Sequence, residues 1–197
     1  MGTCYTAAVA ISRFMRSRLK EFMPGLSVEP HIASEGSAFY LESNMDTTLV
    51  IVIAQSGTTV DTNVFVQKAK ERGAMALAIA NKREGDVTFL VDGTLYIGHG
   101  RDIEIAVPST KTYTAQVLVG YILTSFFVSL LAKNSNEKEL LKEDIETIRN
   151  SPSLVEDSLL ALKAIKKDID KLKNFKLLVQ DGIIEYPEYG FNNITDK

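Results

Sequence analysis

Residues 48–62 read TLVIVIAQSGTTVDT, and this stretch decides the predicted fold. Thr48 to Ala54 form a continuous apolar run, which is typical of a strand covered on both faces in a parallel sheet. The polar stretch Gln55–Thr59 follows, and the helical pattern over residues 62–72 is closed by Gly73. The order of strand, polar turn and helix indicates a parallel α/β layer structure.

The same alternation of strands and helices extends over the first ~130 residues. We predict helices over residues 5–22, 62–72 and 109–132, a helix start at 33–35, and strands over 27–32, 48–54, 75–80, 89–91 and 103–107. Leucine and isoleucine spacing then predicts two amphipathic helices separated at Ser151-Pro152, and 176–180 is one more strand candidate. We therefore divide the chain into an α/β domain (1–132), a helical extension (133–174), and a last strand with a loop-like tail (175–197).

Composition and charge narrow the class of protein. The chain has 197 residues, a formal net charge of −3 and a pI near 5.5, which gives no reason to expect a nucleic-acid partner. The single cysteine, Cys4, excludes an internal disulfide and a cysteine metal cluster, and it favours a reducing, cytoplasmic setting. The first residues lack the basic region and apolar block of a secretory signal.

The most apolar segment covers residues 117–132. It is shorter than the ~20 residues that span a bilayer, and it contains Gly120, Thr124, Ser125 and Ser129. We predict a helix buried in the core or at a subunit interface, with no membrane partner.

The turn Gln55–Thr59 has two interpretations. A helix that starts after small hydroxyl residues presents unpaired backbone N–H groups and partial positive charge, which stabilise an anion. Ser56, Thr58 and Thr59 add side-chain donors, and Gly57 allows the backbone to approach a ligand closely. The alternative is a structural helix cap, since serine and threonine are common before helices.

Two further stretches repeat this chemistry. Gly2-Thr3-Cys4 precedes the first predicted helix, and the stretch VPSTK, residues 107–111, precedes the long one. No Walker A pattern occurs, and Gly98 and Gly100 lack the spacing of a dinucleotide fingerprint. A small phosphorylated ligand is therefore favoured over a nucleotide, and no cofactor or metal is expected.

Three motifs resemble a known family. VIVIAQSGTTVDT, IASE at residues 32–35 and EIAVPSTKTYTAQ at 104–116 are similar to the sugar isomerase (SIS) domain. They are most similar to the first half of the isomerase module of glucosamine-6-phosphate synthase, the glutamine–fructose-6-phosphate amidotransferase. The match covers residues 2 to about 132 in preserved order. It implies a three-layer α/β/α domain with a parallel sheet, followed by amphipathic helices.

The resemblance also implies a site for a hexose 6-phosphate, either fructose 6-phosphate or glucosamine 6-phosphate. The expected residues lie in three turns that hold the phosphate, flank the sugar or offer a backbone contact: Thr3, Cys4, Gln55, Ser56, Gly57, Thr58, Thr59, Val107 and Ser109. Three positions depart from the family pattern. Ala54 and Cys4 stand where the family has serines, and Thr58 where it has a glutamate, so each hydrogen-bonding group is removed or weakened.

Catalytic residues are not assigned. In the family, a glutamate, a histidine and a lysine from the second SIS half and a neighbouring subunit open the sugar ring and move the proton. His31 and His99 are the only histidines here, and both are interpreted as surface or packing residues. Lys111 and Glu35 are as easily explained by helix starts. Cys4 has no histidine clearly placed to activate it, which favours a ligand-side or packing role.

The predicted function follows from that resemblance. We expect a phosphosugar-binding SIS domain, part of a glucosamine-6-phosphate synthase-like enzyme and not catalytic alone. Its expected partners are a second copy of the chain and, in a longer protein, a second SIS half or a glutaminase domain. In the family, a strand precedes the turn that corresponds to Gly2-Thr3-Cys4. This chain has Met1 at that place, which favours a piece of a longer protein. A regulatory phosphosugar-sensing module and a stand-alone isomerase completed across a homodimer remain alternatives.

Overall fold

The computed structural model describes residues 2–97, 111–132, 139 and 141–153. The helices are α1 (Gly2–Leu19), α2 (Ala33–Glu35), α3 (Val60–Glu71), α4 (Asp86–Leu90) and α5 (Lys111–Leu131), and a π-helical turn, Gly36–Tyr40, follows α2. The strands are β1 (Leu49–Ala54), β2 (Met75–Ala80) and β3 (Gly93–Tyr96). Residues 141–153 are also helical.

The three strands form one parallel sheet in the order β1-β2-β3. Leu49 pairs with Met75 and Ala54 with Ala80, so β1 and β2 are in register along their whole length. β3 pairs with the second half of β2, from Leu77 opposite Gly93 to Ala80 opposite Tyr96. Because all three strands run the same way, their carboxyl ends meet at one edge of the sheet, where ligands bind in open α/β sheets.

Helices cover both faces of this sheet. Alternate residues of β1, Val50, Val52 and Ala54, join a buried apolar cluster with α3 and α4. Ile51 and Ile53 point the other way and pack against a second cluster, to which α1 and α5 contribute. The predicted α/β fold with a parallel sheet is therefore confirmed, and the long apolar runs in β1 and β2 are explained by burial on both faces.

Helices α1 and α5 lie unusually close to each other. Gly120 is buried on α5, and a Cβ atom at this position would lie 2.4 Å from Cγ1 of Ile11 on α1. The missing side chain thus permits the contact. Stacking of Phe14 on Tyr121, with ring centroids 4.0 Å apart, adds a second contact between the two helices. At the far end of α1, Arg18 forms an ion pair with the buried Asp144.

Several sequence-based assignments are wrong. Residues 27–32 form no strand, because no described strand lies beside them to complete a ladder. Phe89 and Leu90 lie in α4 rather than in a strand, since the Thr88 N–H donates to the carbonyl of Gly85 at 2.8 Å and closes a helical turn. The short strand β3 was not predicted.

Two helix boundaries also differ from those predicted. Gly2, Thr3 and Cys4 form the first turn of α1 rather than a loop before it. The helix that includes residues 141–153 continues through Pro152, whose fixed φ is compatible with a helix although it donates no bond. The predicted strands at 103–107 and 176–180, together with the helix expected after Pro152 and the tail, lie outside the described residues.

Helix α5 has 21 residues and is apolar enough to cross a membrane by length and composition. The sequence-based inference that this segment is too short to span a bilayer is therefore wrong. A core helix of a globular protein passes the same test, and α5 buries the polar residues Thr112, Gln116, Thr124 and Ser125 against the rest of the fold. Only 33% of its most apolar 18-residue window is buried, so the core or interface position of α5 stays a prediction.

Candidate functional site

The turn Gln55–Thr59 joins the carboxyl end of β1 to the start of α3. Within it the Ser56 and Thr58 hydroxyls lie 3.1 Å apart, and the Thr58 N–H donates to Ser56 Oγ at 3.4 Å. Thr59 occupies the N-cap position of α3, yet its side chain makes no capping hydrogen bond. The interpretation of the turn as a simple helix cap therefore lacks the bond that defines such a cap.

A close backbone contact shapes this turn. Gly57 has a φ of +71°, a left-handed value that favours glycine. Gly85 packs directly against it, and a Cβ atom on Gly85 would lie 2.6 Å from the Ser56 carbonyl oxygen. The N–H of Val87 donates to the carbonyl of Gly57 at 2.9 Å. The loop before α4 therefore supports the turn from behind and fixes the direction in which it opens.

Sequence reasoning missed the role of Gly85 and Val87. The usable signal is Gly85-Asp86, a glycine before an acidic first helical residue, which marks the start of α4. Nothing in the periodicity of either segment links it to the other, since the contact joins residues that lie far apart along the chain.

One cavity of about 1390 Å³ brings two of the three predicted turns together. Thr3 and Cys4 at the start of α1 line it, and so do Gln55, Ser56, Gly57 and Thr59. It continues along β1, and residues of α1 and of the segment 26–33 also line it. Its volume exceeds that of many small-molecule sites, so it accommodates a hexose phosphate with room to spare.

Three of the predicted site residues are not placed at this cavity. Thr58 is exposed, is not among the lining residues, and contacts the cavity only through its partner Ser56. Val107 and Ser109 lie outside the described residues, so their predicted contacts remain predictions.

Several side chains that line the cavity, two of them the titratable residues Glu29 and His31, form a small cluster. His31 stacks on Tyr40 with ring centroids 3.9 Å apart, and its Nε2 lies 3.5 Å from a Glu29 carboxylate oxygen. Ser27 donates to the other oxygen of that carboxylate at 2.8 Å. All four side chains line the cavity. The predicted packing role of His31 agrees with the stacking, although its position at the cavity was not foreseen.

The two groups whose pKa values are shifted, Asp92 and Lys142, are not among the residues that line this cavity. The pKa of Asp92 is lowered, chiefly by a hydrogen bond from Lys70 and then by one from the Ala76 N–H. The pKa of Lys142 is raised, chiefly by its hydrogen bond to Glu139. Within the described part of the chain, no group of three or more His, Cys, Asp or Glu side chains is arranged to hold a metal ion. The turn Gln55–Thr59 offers backbone N–H groups and hydroxyl donors to an anion, and it contains no positively charged side chain.

Comparison with known proteins agrees with this geometry. The sequence profile of the SIS domain matches residues 2–125. The glutamine–fructose-6-phosphate aminotransferase (isomerizing) of Fusobacterium nucleatum is 35% identical over 175 residues, which cover 83% of this chain and 27% of that protein. The enzyme of the same name from Clostridium acetobutylicum is 38% identical over 154 residues, 75% of this chain and 22% of that protein. The chain thus spans about a quarter of the length of these relatives.

Solved structures share the fold. The C-terminal domain of glucosamine-fructose-6-phosphate aminotransferase from Francisella tularensis superposes with a TM-score of 0.71 at 24% identity, covering 87% of this chain and 44% of that one. Glucosamine-6-phosphate deaminase from Thermotoga maritima gives 0.57 at 20% identity, covering 78% and 43%. With the profile match extending over more than half of its length, the chain belongs to the SIS domain family.

Proposed function

We propose that this chain binds a hexose 6-phosphate in the cavity beside β1, with the turn Gln55–Thr59 at the phosphate and Thr3 and Cys4 beside the sugar. The observation that carries the proposal is that both turns open onto one cavity at the carboxyl edge of the sheet. Residue types and position both suit an anion, because the N-terminus of α3 carries partial positive charge and its cap residue leaves the first N–H groups without a side-chain acceptor.

The named activities of the relatives narrow the ligand to fructose 6-phosphate or glucosamine 6-phosphate. Relatives at 35% and 38% identity are named fructose-6-phosphate aminotransferases, and one structural neighbour is a glucosamine-6-phosphate deaminase. We further propose that the chain acts as one half of a cytoplasmic isomerase module and is not catalytic alone. A second SIS half or a glutaminase domain would complete the activity.

Calorimetry tests the binding proposal. Titration with fructose 6-phosphate or glucosamine 6-phosphate should give heat that inorganic phosphate suppresses by competition. Ser56→Ala should weaken affinity about fivefold, since it removes one hydrogen-bonding group from the turn. Ser17→Ala is the matched control, because Ser17 is exposed on α1 and bonds only its own helix at the Phe14 carbonyl. Absence of heat with both sugars contradicts the proposal.

An isomerase assay tests the second part. The isolated chain should bind without converting fructose 6-phosphate to glucose 6-phosphate. Conversion by the chain alone would instead support the stand-alone isomerase. Binding without conversion, even when the rest of a longer protein is present, would favour the regulatory module.

We also propose that two copies associate through α5. Ile122, Phe126 and Leu130 recur at helical spacing and are 46%, 54% and 67% exposed, which forms an apolar stripe suited to a partner helix. Sedimentation should report twice the 21.8 kDa mass of the chain, whereas a monomer at all concentrations contradicts this assembly.

A further inference from the structure

Gln116 on α5 is a fully buried polar residue that the proposed site does not yet use. Its side chain is 0% exposed. The amide Nε2 donates to Cys4 Sγ at 3.6 Å, while the Oε1 atom has no hydrogen-bond partner among the residues that the structure describes. A buried carbonyl oxygen without a donor is disfavoured, so the amide is in a position that packing alone does not explain.

The packing of α1 against α5 brings this amide to Cys4. Gly120, one turn after Gln116, allows the two helices to approach at Ile11, two turns after Cys4. The Gln116–Cys4 contact is therefore built into the closest part of the helix pair. It joins the core of the domain to the residue that faces the cavity.

The direction of this hydrogen bond leaves the thiol hydrogen of Cys4 available to another acceptor. Because Gln116 Nε2 is the donor, Cys4 Sγ is the acceptor, and the thiol hydrogen is free to point elsewhere. Cys4 is partly exposed and lines the cavity, so its S–H has room to point toward the ligand space. The unpartnered Oε1 is itself buried, and an ordered water would supply its missing donor.

We propose that Gln116 is a positioning residue that holds Cys4 with its S–H toward an oxygen of the bound sugar. The inference rests on the proposed phosphosugar site and deepens it. It assigns the hydroxyl-bearing end of the ligand to Cys4 and the phosphate to the Ser56 turn, which lines the same cavity. Gln116 acts through Cys4 and does not itself touch the ligand.

A double-mutant cycle tests whether Gln116 acts through Cys4. Affinity for fructose 6-phosphate is measured by calorimetry for Cys4→Ala, Gln116→Leu and the double variant. Each single change should weaken binding about threefold to fivefold, and the double variant should bind no more weakly than Cys4→Ala. Losses that multiply in the double variant overturn the proposal. Gln67→Leu, at an exposed position of α3, is the matched control and should leave affinity unchanged.

The reactivity of Cys4 gives a readout that does not require sugar binding. Cys4 is the only cysteine, so the rate of alkylation by iodoacetamide reports on its thiol alone. Gln116→Leu should change that rate at least about threefold relative to Gln67→Leu, because the sulfur loses the donor that orients it. Gln116→Met serves as a second variant if the leucine variant does not fold. Equal rates overturn the positioning role, whereas absence of sugar heat in the unaltered protein contradicts the proposed function itself.

Discussion

The two edges of the sheet use polar groups in opposite ways. At the amino edge, the Asp92 carboxylate receives Lys70 Nζ at 2.6 Å and the Ala76 N–H at 2.8 Å, and the Asp92 N–H donates to the Ala76 carbonyl at 2.8 Å. At the carboxyl edge, the Ser56 and Thr58 hydroxyls bond each other and no third side chain among the described residues, and Thr59 leaves α3 without a side-chain cap.

This difference separates stability from binding. The polar groups of the amino edge are satisfied within the protein, so they hold β2, β3 and α3 together and offer little to a ligand. The turn at the carboxyl edge is held in place by backbone contacts, chiefly between Gly57 and Gly85, and two of its hydroxyl residues, Ser56 and Thr59, line the cavity. Substitutions of polar side chains at the carboxyl edge should therefore alter binding, and those at the amino edge should alter stability.

The largest effect is expected for Gly85→Ala. The backbone of Gly85 has φ −75° and ψ 139°, which alanine adopts freely, so only space is at issue. A Cβ atom there would lie 2.6 Å from the Ser56 carbonyl oxygen and 2.9 Å from Gly57 Cα, both backbone atoms that yield little. Affinity for fructose 6-phosphate should fall at least about tenfold, and the free energy of unfolding should fall by about 1–3 kcal/mol.

The control for Gly85→Ala is Glu84→Ala, because Glu84 is the exposed neighbour in the same loop. Its urea unfolding curve and its affinity should match those of the unaltered protein. If Gly85→Ala binds the sugar normally, the loop before α4 does not support the turn, and the contrast between the two edges is lost.

An intermediate effect is expected for Asp92→Asn. The pKa of Asp92 is held below its usual value of 3.8 by Lys70 and the Ala76 N–H, so the ionised form is favoured in the folded state. Its contribution to stability is present above that value and is lost as the pH falls through the lower folded pKa. The variant should melt slightly lower at neutral pH, because a solvent-exposed ion pair contributes little, and it should show a smaller loss of Tm below pH 4.

Sugar affinity is the discriminating measurement for Asp92→Asn. It should be unchanged at neutral pH, because Asp92 lies at the amino edge and outside the cavity lining. A weakened affinity in a fully folded variant would show that the two edges are coupled.

The smallest effect on stability is expected for Thr59→Ala. A threonine that caps a helix contributes ~1 kcal/mol, but Thr59 makes no capping bond here. The free energy of unfolding should therefore change by less than about 0.5 kcal/mol, while sugar affinity should fall. Thr124→Ala provides the contrast, since the buried Thr124 hydroxyl donates to the Gly120 carbonyl at 2.8 Å. If Thr59→Ala lowers the free energy of unfolding by the ~1 kcal/mol expected for a capping threonine, the interpretation of the turn as a structural cap is favoured.

Local patterns predicted those elements whose partners follow closely in the sequence. The apolar runs of β1 and β2 and the helix between them were predicted because burial on both faces leaves a continuous signal, and Gly73 marks the end of α3 with a φ of +98°. Residues 27–32 have a strand composition, but no described strand lies beside them, and composition does not report on pairing. The short run at 89–91 fits a helix or a strand equally well by periodicity.

The candidate site was predicted only in part, for the same reason. The Gln55–Thr59 turn is contiguous and follows a strong strand, so its position could be read directly. The support from Gly85 and the contact of Gln116 with Cys4 join distant parts of the chain. Such contacts depend on how layers pack, and no local period carries them.

The edge of β1 that faces away from β2 affects how the protein should be handled. Its six residues, LVIVIA, include no charge and no proline, and no described strand pairs with them on the side away from β2. A strand edge that is left unpaired templates pairing between molecules, which leads to aggregation and fibril-like assembly. Concentrated or gently heated samples should therefore bind cross-β dyes early, and a lysine placed at Ile51 or Ile53 would suppress this at some loss of core packing.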